Sequence, residues 1–383
     1  MNQLPLLDQV DITNKTVLVR LDLNLPFQDQ QVSDDTRIRR SLKTLTYLID
    51  HQCKVIILSH RGRPKGAPNT SLSLEPIAHV LKNYIDCPIS FAADCIGTLA
   101  SSAIQAAPHG SIILLENLRF HPEEEKNDLT FAKRLASLGD IYVNDAFSCS
   151  HRAHASVVAL AQLLPAVAGF GMQEELTALN GVLSTPERPL MAIVGGSKVS
   201  TKLDLLNNLI TKVDYLVLGG GMANTFLLAQ GQGIGASLAE PDLAEIALAL
   251  LEQAKNQNCT IILPTDFQSP PDSFKIMDIG AQTAQRVKTA LDQCKTLVWN
   301  GPVGVFEIPP YDQGSIAIAR HVAQLTNNRK LISVAGGGDT LACLKKAGAE
   351  EQFTYTSTAG GAFLEWLEGK KLPGITVLSK DQE

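Results

Sequence analysis

Long apolar runs, paired cysteines and an excess of positive charge are all missing from this chain of 383 residues. The longest apolar stretch, Val157 to Phe170, is interrupted by Gln162 and Pro165 and is too short for a hydrocarbon layer of about 30 Å, so no membrane partner is expected. The seven cysteines, at 53, 87, 95, 149, 259, 294 and 343, contain no C-x-x-C pair. An odd, scattered set argues for reduced thiols rather than a disulfide frame or a zinc site. Lys and Arg number 33 against 39 Asp and Glu, a formal charge of −6, so the overall field gives no reason to expect nucleic acid. Any bound anion must be held by local groups. The opening MNQLPLLDQVD lacks the basic-then-apolar order of a signal peptide, and a cytoplasmic location is expected. Neither G-x-x-x-x-G-K-[ST] nor G-x-G-x-x-G occurs, which disfavours a P-loop enzyme and an orthodox dinucleotide dehydrogenase. The G-x-S-x-G elbow and the H-E-x-x-H zinc helix are absent too.

What is present is a series of short β-branched runs: VLVRLDLN (17–24), VIILSH (55–60), SIILLEN (111–117), IYVNDAF (141–147), MAIVGG (191–196), YLVLGGG (215–221), TIILPTD (260–266), TLVWNGPVG (296–304) and LISVAGGG (331–338). They read as strands. Between them lie helical spacings such as Ile38, Leu42, Leu45 and Leu48. The alternation predicts an α/β fold of parallel sheets covered on both faces by helices. At about 100–200 residues per domain the length leaves room for two such domains.

In an open parallel sheet, ligands bind at the carboxyl ends of the strands. Up to about residue 150 those ends carry Asp22, Asn24, His60, Arg61, Arg63, Glu116, Arg119 and Asp145; from about 190 they carry Gly195–Gly196, Gly219–Gly221, Gly301 and Gly336–Gly338. The change falls near EELTALNGVLSTPERP (174–189), where the domain boundary is placed. Nine of the 13 arginines precede residue 170, against 7 of the 20 lysines. The planar guanidinium grips carboxylate and phosphate bidentately, so the first half looks built for a small anion.

The periodicity of VSTKLDLLNNLI predicts a helix with Lys198 and Lys202 one turn apart near its start. Cations are disfavoured there by the helix dipole, so a bound anion would offset the cost; two solvated lysines are the plainer reading. Gly336–Gly337–Gly338–Asp339–Thr340 joins strand to helix. A triple glycine costs chain entropy unless backbone passes close to something, and a carboxylate beside a phosphate cradle is where Mg²⁺ would sit; a capped loop is the alternative. Thr358–Ala359–Gly360–Gly361 is a further strand-to-helix turn. In the first half, Ser59–His60–Arg61–Gly62–Arg63 and His151–Arg152–Ala153–His154 read as anion-binding edges or as basic surface loops. Two rival functions follow from the bare residues: a nicotinamide dehydrogenase, whose fingerprint is missing, and a non-catalytic two-lobed binding protein, which leaves Lys198, Lys202 and Asp339 unexplained.

Taken together, VRLDLNLP (19–26), SHRGRP (59–64), LLENLRF (114–120), NDAFSCSHRAHAS (144–156), GGSKVSTK (195–202), LGGGMANTFL (218–227), LPTD (263–266), WNGPVGVFE (299–307), GGGDT (336–340) and STAGGAFLEWLEGKKLPG (357–374) resemble the phosphoglycerate kinase family, in order and over essentially the whole chain. The resemblance implies two Rossmann-like domains, each a parallel sheet covered by helices: residues 1–172 for phosphoglycerate, a hinge helix at 173–188, and residues 189–369 for nucleotide, with the tail 370–383 returning to the first. It implies reversible phosphoryl transfer from 1,3-bisphosphoglycerate to Mg-ADP, giving 3-phosphoglycerate and Mg-ATP in glycolysis. Carried over by motif, Asp22, Leu23, Asn24, Arg37, His60, Arg61, Gly62, Arg63, Arg119 and Arg152 would bind phosphoglycerate. Lys202, Gly219, Gly220, Glu307, Gly337, Gly338, Asp339 and Thr340 would bind ATP or ADP, with Asp339 on Mg²⁺. Arg37, Lys198, Gly360 and Gly361 would be catalytic. The small molecules are the expected partners, and a monomer is expected.

Four residues depart from the family pattern: Arg61 replaces an apolar residue, Ser148 a glycine, Glu175 lies near a usual Lys–Glu pair, and Ala359 replaces the first glycine of T-G-G-G. If residue 359 needs a positive φ, its methyl group is expected to cost about 1 kcal/mol.

Overall fold

The computed structural model describes residues 4–29 and 31–379. They form two compact units, one of residues up to Leu176 together with those from Lys371 onward, the other Thr177–Lys370. All nine runs read as strands are strands, and each unit is built on one six-stranded, wholly parallel sheet.

Across the first sheet the order is Ile89–Ala92, Ser111–Leu115, Lys54–Leu58, Thr16–Arg20, Ile141–Asn144 and Ala166–Ala168. Alternate residues of its strands point to opposite faces, yet Val17, Leu18 and Val19, like Val55, Ile56 and Ile57, are all buried. Both faces are therefore covered, which is why these strands read as continuous apolar runs. The helix Thr36–Asp50 turns Ile38, Leu45 and Leu48 into one of these layers. Each such side chain contributes about 1.5–3 kcal/mol on burial. Arg37 lies in the first turn of this helix and Arg39 is exposed. Leu372 and Ile375 are buried, and Gly374 N–H donates to Ser150 O at 2.9 Å, so the returning tail is part of the first unit. Its last residues, 380–383, lie outside the described residues.

In the second sheet the order is Thr260–Ile262, Tyr215–Leu218, Leu190–Val194, Thr296–Asn300, Ile332–Gly336 and Tyr355–Ser357. Numbered along the chain within the unit, this is third, second, first, fourth, fifth, sixth, the doubly wound order of nucleotide-binding folds. Met191, Ile193, Leu297 and Trp299 face helices carrying Val287, Leu291, Ile318 and Val322. Both folds are thus of the Rossmann type anticipated.

Within the two six-stranded sheets, the strands without a sequence signal are the short edge strands Ile89–Ala92, Ala166–Ala168 and Tyr355–Ser357. The helix read at 173–188 runs instead over Phe170–Leu183. Ser184 and Thr185 still donate to Asn180 O, and Pro186, which lacks an N–H, follows. Among the described residues no helix is long and apolar enough to cross a membrane.

Candidate active site

Each sheet has one place where successive strands leave in opposite directions, and at that place the carboxyl ends of the strands open a crevice. In the first unit it lies between Thr16–Arg20 and Ile141–Asn144. Arg20 occupies the last residue of the central strand and is wholly buried. Its Nε donates to Ser156 Oγ at 3.0 Å, another nitrogen donates to Leu21 O, and Nη2 lies 3.0 Å from His60 Nδ1. Behind it, the buried Glu124 accepts from Ser156 N–H and Oγ at 2.9 and 2.6 Å. A guanidinium can only donate, so His60 Nδ1 is the acceptor and the neutral ring carries its proton on Nε2. Burial, then the charges of Arg20, Arg119 and Arg37, hold His60 well below the usual histidine range. His60 is therefore a neutral donor at physiological pH.

The loop after the same strand is pinned residue by residue. Leu23 N–H donates to Ser59 Oγ at 2.9 Å, and Gly62 N–H to Asn24 Oδ1 at 2.9 Å. Arg37 Nη1 reaches Asp22 Oδ1 at 3.1 Å and Asn24 O at 2.5 Å. Arg119 donates to Gly62 O at 2.9 Å and lies 3.4 Å from Glu125. Arg63 and Arg152 are exposed. His154, buried on the same edge, is pushed down to about 4 by burial and by Arg119, Arg20 and Arg152. These mutual repulsions reveal a concentration of positive charge that an anion would relieve. Of the residues expected here, the structure brings together Asp22, Leu23, Asn24, Arg37, His60, Gly62 and Arg119. Arg20 escaped the sequence reading as a site residue, whereas His154 was named only as part of the His151–Arg152–Ala153–His154 edge. The signal for Arg20 was available, since a charge inside VLVRL must be buried and hence paired.

In the second unit the crevice lies between Leu190–Val194 and Thr296–Asn300. Their following loops pack so closely that a Cβ on Gly195 would overlap Pro302 O. Lys202 Nζ bridges the two strand ends, donating to Gly195 O at 2.7 Å, Asn300 O at 3.2 Å and Asn300 Oδ1 at 2.7 Å. Asn300 Nδ2 donates onward to Gly336 O, and Gly301 N–H to Thr340 Oγ1 at 2.7 Å. Burial pushes Lys202 down to about 8, against the opposing charges of Asp339 and Glu368.

Lys198 and Lys202 do not share a helix face. The helix begins at Leu203, with Lys202 as its cap residue, and Lys198 stands exposed on the loop before it. Ser200 N–H and Oγ bind Glu240, which holds that loop in a non-helical path. The anion-binding end of the helix is retained and only the register of the lysines changes. Gly338–Ala347 and Gly360–Leu367 likewise start at this sheet edge and direct first-turn N–H groups there, whereas in Gly220–Ala229, which also starts there, Gly220 N–H donates to Val303 O and Met222 N–H to Gly196 O. Gly337 caps one of them at φ +98, a conformation that favours glycine. Asp339 is exposed in that helix's first turn, and its carboxylate makes no hydrogen bond or salt bridge among the described residues. An unengaged carboxylate beside convergent helix N-termini fits a Mg²⁺–phosphate group, since Mg²⁺ takes one or two protein carboxylates plus phosphate oxygens. Gly219 packs on Val303, and Glu307 is exposed beyond Phe306.

The model of the family described as phosphoglycerate kinase matches residues 7–370. The chain belongs to the phosphoglycerate kinase family. It is 53% identical to the phosphoglycerate kinase of Rhodopseudomonas palustris over 97% of this chain and 98% of that one, and 52% identical to that of Bradyrhizobium diazoefficiens over 98% and 99%. The solved phosphoglycerate kinase of Coxiella burnetii superimposes with a TM-score of 0.90 at 40% identity, covering 99% of each chain. That of Pyrococcus horikoshii gives 0.82 at 31%, covering 97% and 98%. The chain is accordingly a phosphotransferase of the phosphoglycerate kinase type.

Its departures from the phosphoglycerate kinase pattern have local explanations. The Arg61 guanidinium stacks 3.7 Å over the centre of the Phe27 ring and donates to Ser73 O at 3.0 Å. Its aliphatic stem and planar head serve as the apolar residue would. Ser148 Oγ donates to Asp22 Oδ2, so the added hydroxyl steadies the carboxylate that holds Arg37. Glu175 is buried and pairs with Arg40 at 3.7 Å. Ala359 has φ −90. The expected strain is absent there, because an alanine adopts this conformation freely.

Proposed function

We propose that the first unit binds the phosphoglycerate and the second the nucleotide, and that the chain transfers a phosphoryl group from 1,3-bisphosphoglycerate to Mg-ADP, giving 3-phosphoglycerate and Mg-ATP. The observation that carries this reading is the pairing of a guanidinium-rich crevice on one sheet with helix N-termini, Lys202 and Asp339 around the other. Asp22 and Asn24 take the substrate's hydroxyl side; Arg37, His60, Arg63, Arg119 and Arg152 take its anionic groups, with Leu23, Arg61 and Gly62 shaping the loop. Gly219 and Gly220 flank the adenine, Glu307 the ribose, and Gly337, Gly338 and Thr340 the phosphates. Asp339 holds the magnesium, whose chemistry is to neutralise charge on the phosphate oxygens.

Transfer between an acyl phosphate and ADP needs in-line placement and charge neutralisation, and its carboxylate leaving group requires no general acid. The residues suit this, being cations and backbone donors rather than an acid/base pair. Arg37 and Lys198 clamp the migrating group, and the N–H groups of Gly360 and Gly361 receive its oxygens. Closure about the helix Phe170–Leu183 aligns the substrates and excludes water that would hydrolyse the acyl phosphate. The enzyme acts as a cytoplasmic monomer.

Lys202 supplies a test of the nucleotide half. Nucleotide-free, it loses its proton as pH rises through about 8. Arriving phosphates favour the charged amine and raise its pKa, so ADP binding above that pH takes up protons. Calorimetry in two buffers of different ionisation enthalpy is expected to show this uptake for the native chain and its loss in Lys202→Met. Equal uptake in both proteins removes Lys202 from the phosphate site.

A further inference from the structure

Two groups of cysteine, histidine and carboxylate converge in the first unit, and they differ in what fills them. Asp22, His60 and Cys149 place one donor atom each within 4.8 Å of one another. That group is already occupied by cations: Arg20 Nη2 is 3.0 Å from His60 Nδ1 and 3.6 Å from Cys149 Sγ, and Arg37 holds Asp22. The other group is Asp94, Cys95 and His121, again with one donor atom each within 4.8 Å. It sits beyond the carboxyl ends of the edge strand Ile89–Ala92 and its neighbour Ser111–Leu115.

Asp94 Oδ1 is fixed by Cys95 N–H at 2.6 Å and Ile96 N–H at 3.4 Å, and it receives His121 Nε2–H at 2.8 Å. The Cys95 side chain is fully buried, and its thiol takes part in no hydrogen bond among the described residues. Burial, then the negative charges of Asp94, Glu124 and Glu116, push that thiol up. The side chains of Asp94 and His121 remain 35% and 27% exposed, leaving the group open to solvent on one side.

We propose that Asp94, Cys95 and His121 form a binding site for a zinc-class divalent cation, with water in the fourth position. Sulfur, imidazole nitrogen and carboxylate oxygen together suit zinc far better than magnesium or calcium. Tetrahedral bonds of about 2.0–2.3 Å set ligand atoms about 3.3–3.6 Å apart, so the Asp94–His121 pair, now 2.8 Å apart, opens as its hydrogen bond gives way to the metal, and the sulfur lies within 4.8 Å of both. The backbone N–H groups on Asp94 are the outer support such ligands need. Binding replaces the thiol proton, which leaves to solvent, and His121 moves its proton from Nε2 to Nδ1 so that Nε2 can ligate. The scatter of cysteines along the sequence spoke against a zinc site because it showed no cysteine pair. Here the donors come from two adjacent strand ends and only one is sulfur.

The test is a titration of the full chain with Co²⁺ in excess Mg²⁺, which occupies hard-ligand sites. One equivalent is expected to produce a thiolate-to-cobalt charge-transfer band and the intense visible bands of tetrahedral Co²⁺, displaced by Zn²⁺. Both bands are lost in Cys95→Ser and retained in Cys149→Ser. Because Cys95 is buried, His121→Gln, at a half-exposed position, serves as a second variant, and it too should lose the tetrahedral spectrum. Absence of a charge-transfer band in the native chain, its persistence in Cys95→Ser, or an unchanged spectrum in His121→Gln overturns the proposal.

Discussion

Arg37→Ala is expected to lower kcat by about 10³-fold, within the range measured when one arginine or one oxyanion donor is removed from a phosphoryl- or acyl-transfer site. Arg37 is held by Asp22 Oδ1 and Asn24 O, and Asp22 is held independently by Asn24 N–H and Ser148. Removing the guanidinium therefore leaves the pocket's shape and takes away charge where charge develops. The loss should fall on kcat more than on KM for 3-phosphoglycerate, because His60, Arg63, Arg119 and Arg152 continue to bind the ground state. Arg37→Lys should recover only part, since an ammonium cannot reproduce the planar fork. Steady-state kinetics decide the matter: a kcat within tenfold of the native value shows that Arg37 is not at the reacting group.

Lys198→Ala tests the partner cation. Whereas Lys202 is fixed by three bonds to the strand ends, Lys198 is exposed on a non-helical loop. Its long stem is free to follow a migrating charge. The expected result is a loss of about 10²–10³ in kcat with the Kd for Mg-ADP changed by less than about threefold, the pattern of an interaction made only in the transition state. Turnover and ADP affinity falling equally would assign Lys198 to ordinary nucleotide binding.

The sheets were legible because buried parallel strands must be apolar on both faces, as in VLVR and VIIL. Strand ends carrying Asp22, His60, Arg119 or Gly336–Gly338 then followed from topology. Less visible were features set by long-range contacts. The loop of Lys198 departs from its helical periodicity because Glu240, 40 residues away, binds Ser200. The place of Arg20 inside an apolar run signals that it is buried and paired, but its partners His60, Ser156 and Cys149 are visible only in the fold. Short edge strands such as Ala166–Ala168 carry too few residues to show a period. Ala359 drew attention as a missing glycine, yet a sequence does not disclose φ; at −90° the residue is unstrained.

We propose that this chain moves a phosphoryl group between a nucleotide and the carboxylate of 3-phosphoglycerate. The most direct test is to incubate the chain with ATP, Mg²⁺ and 3-phosphoglycerate and to trap the acyl phosphate as its hydroxamate with hydroxylamine. Hydroxamate that forms with all three components and disappears when either Mg²⁺ or 3-phosphoglycerate is omitted is the predicted result. Folded protein that binds both substrates and yields no hydroxamate would contradict it.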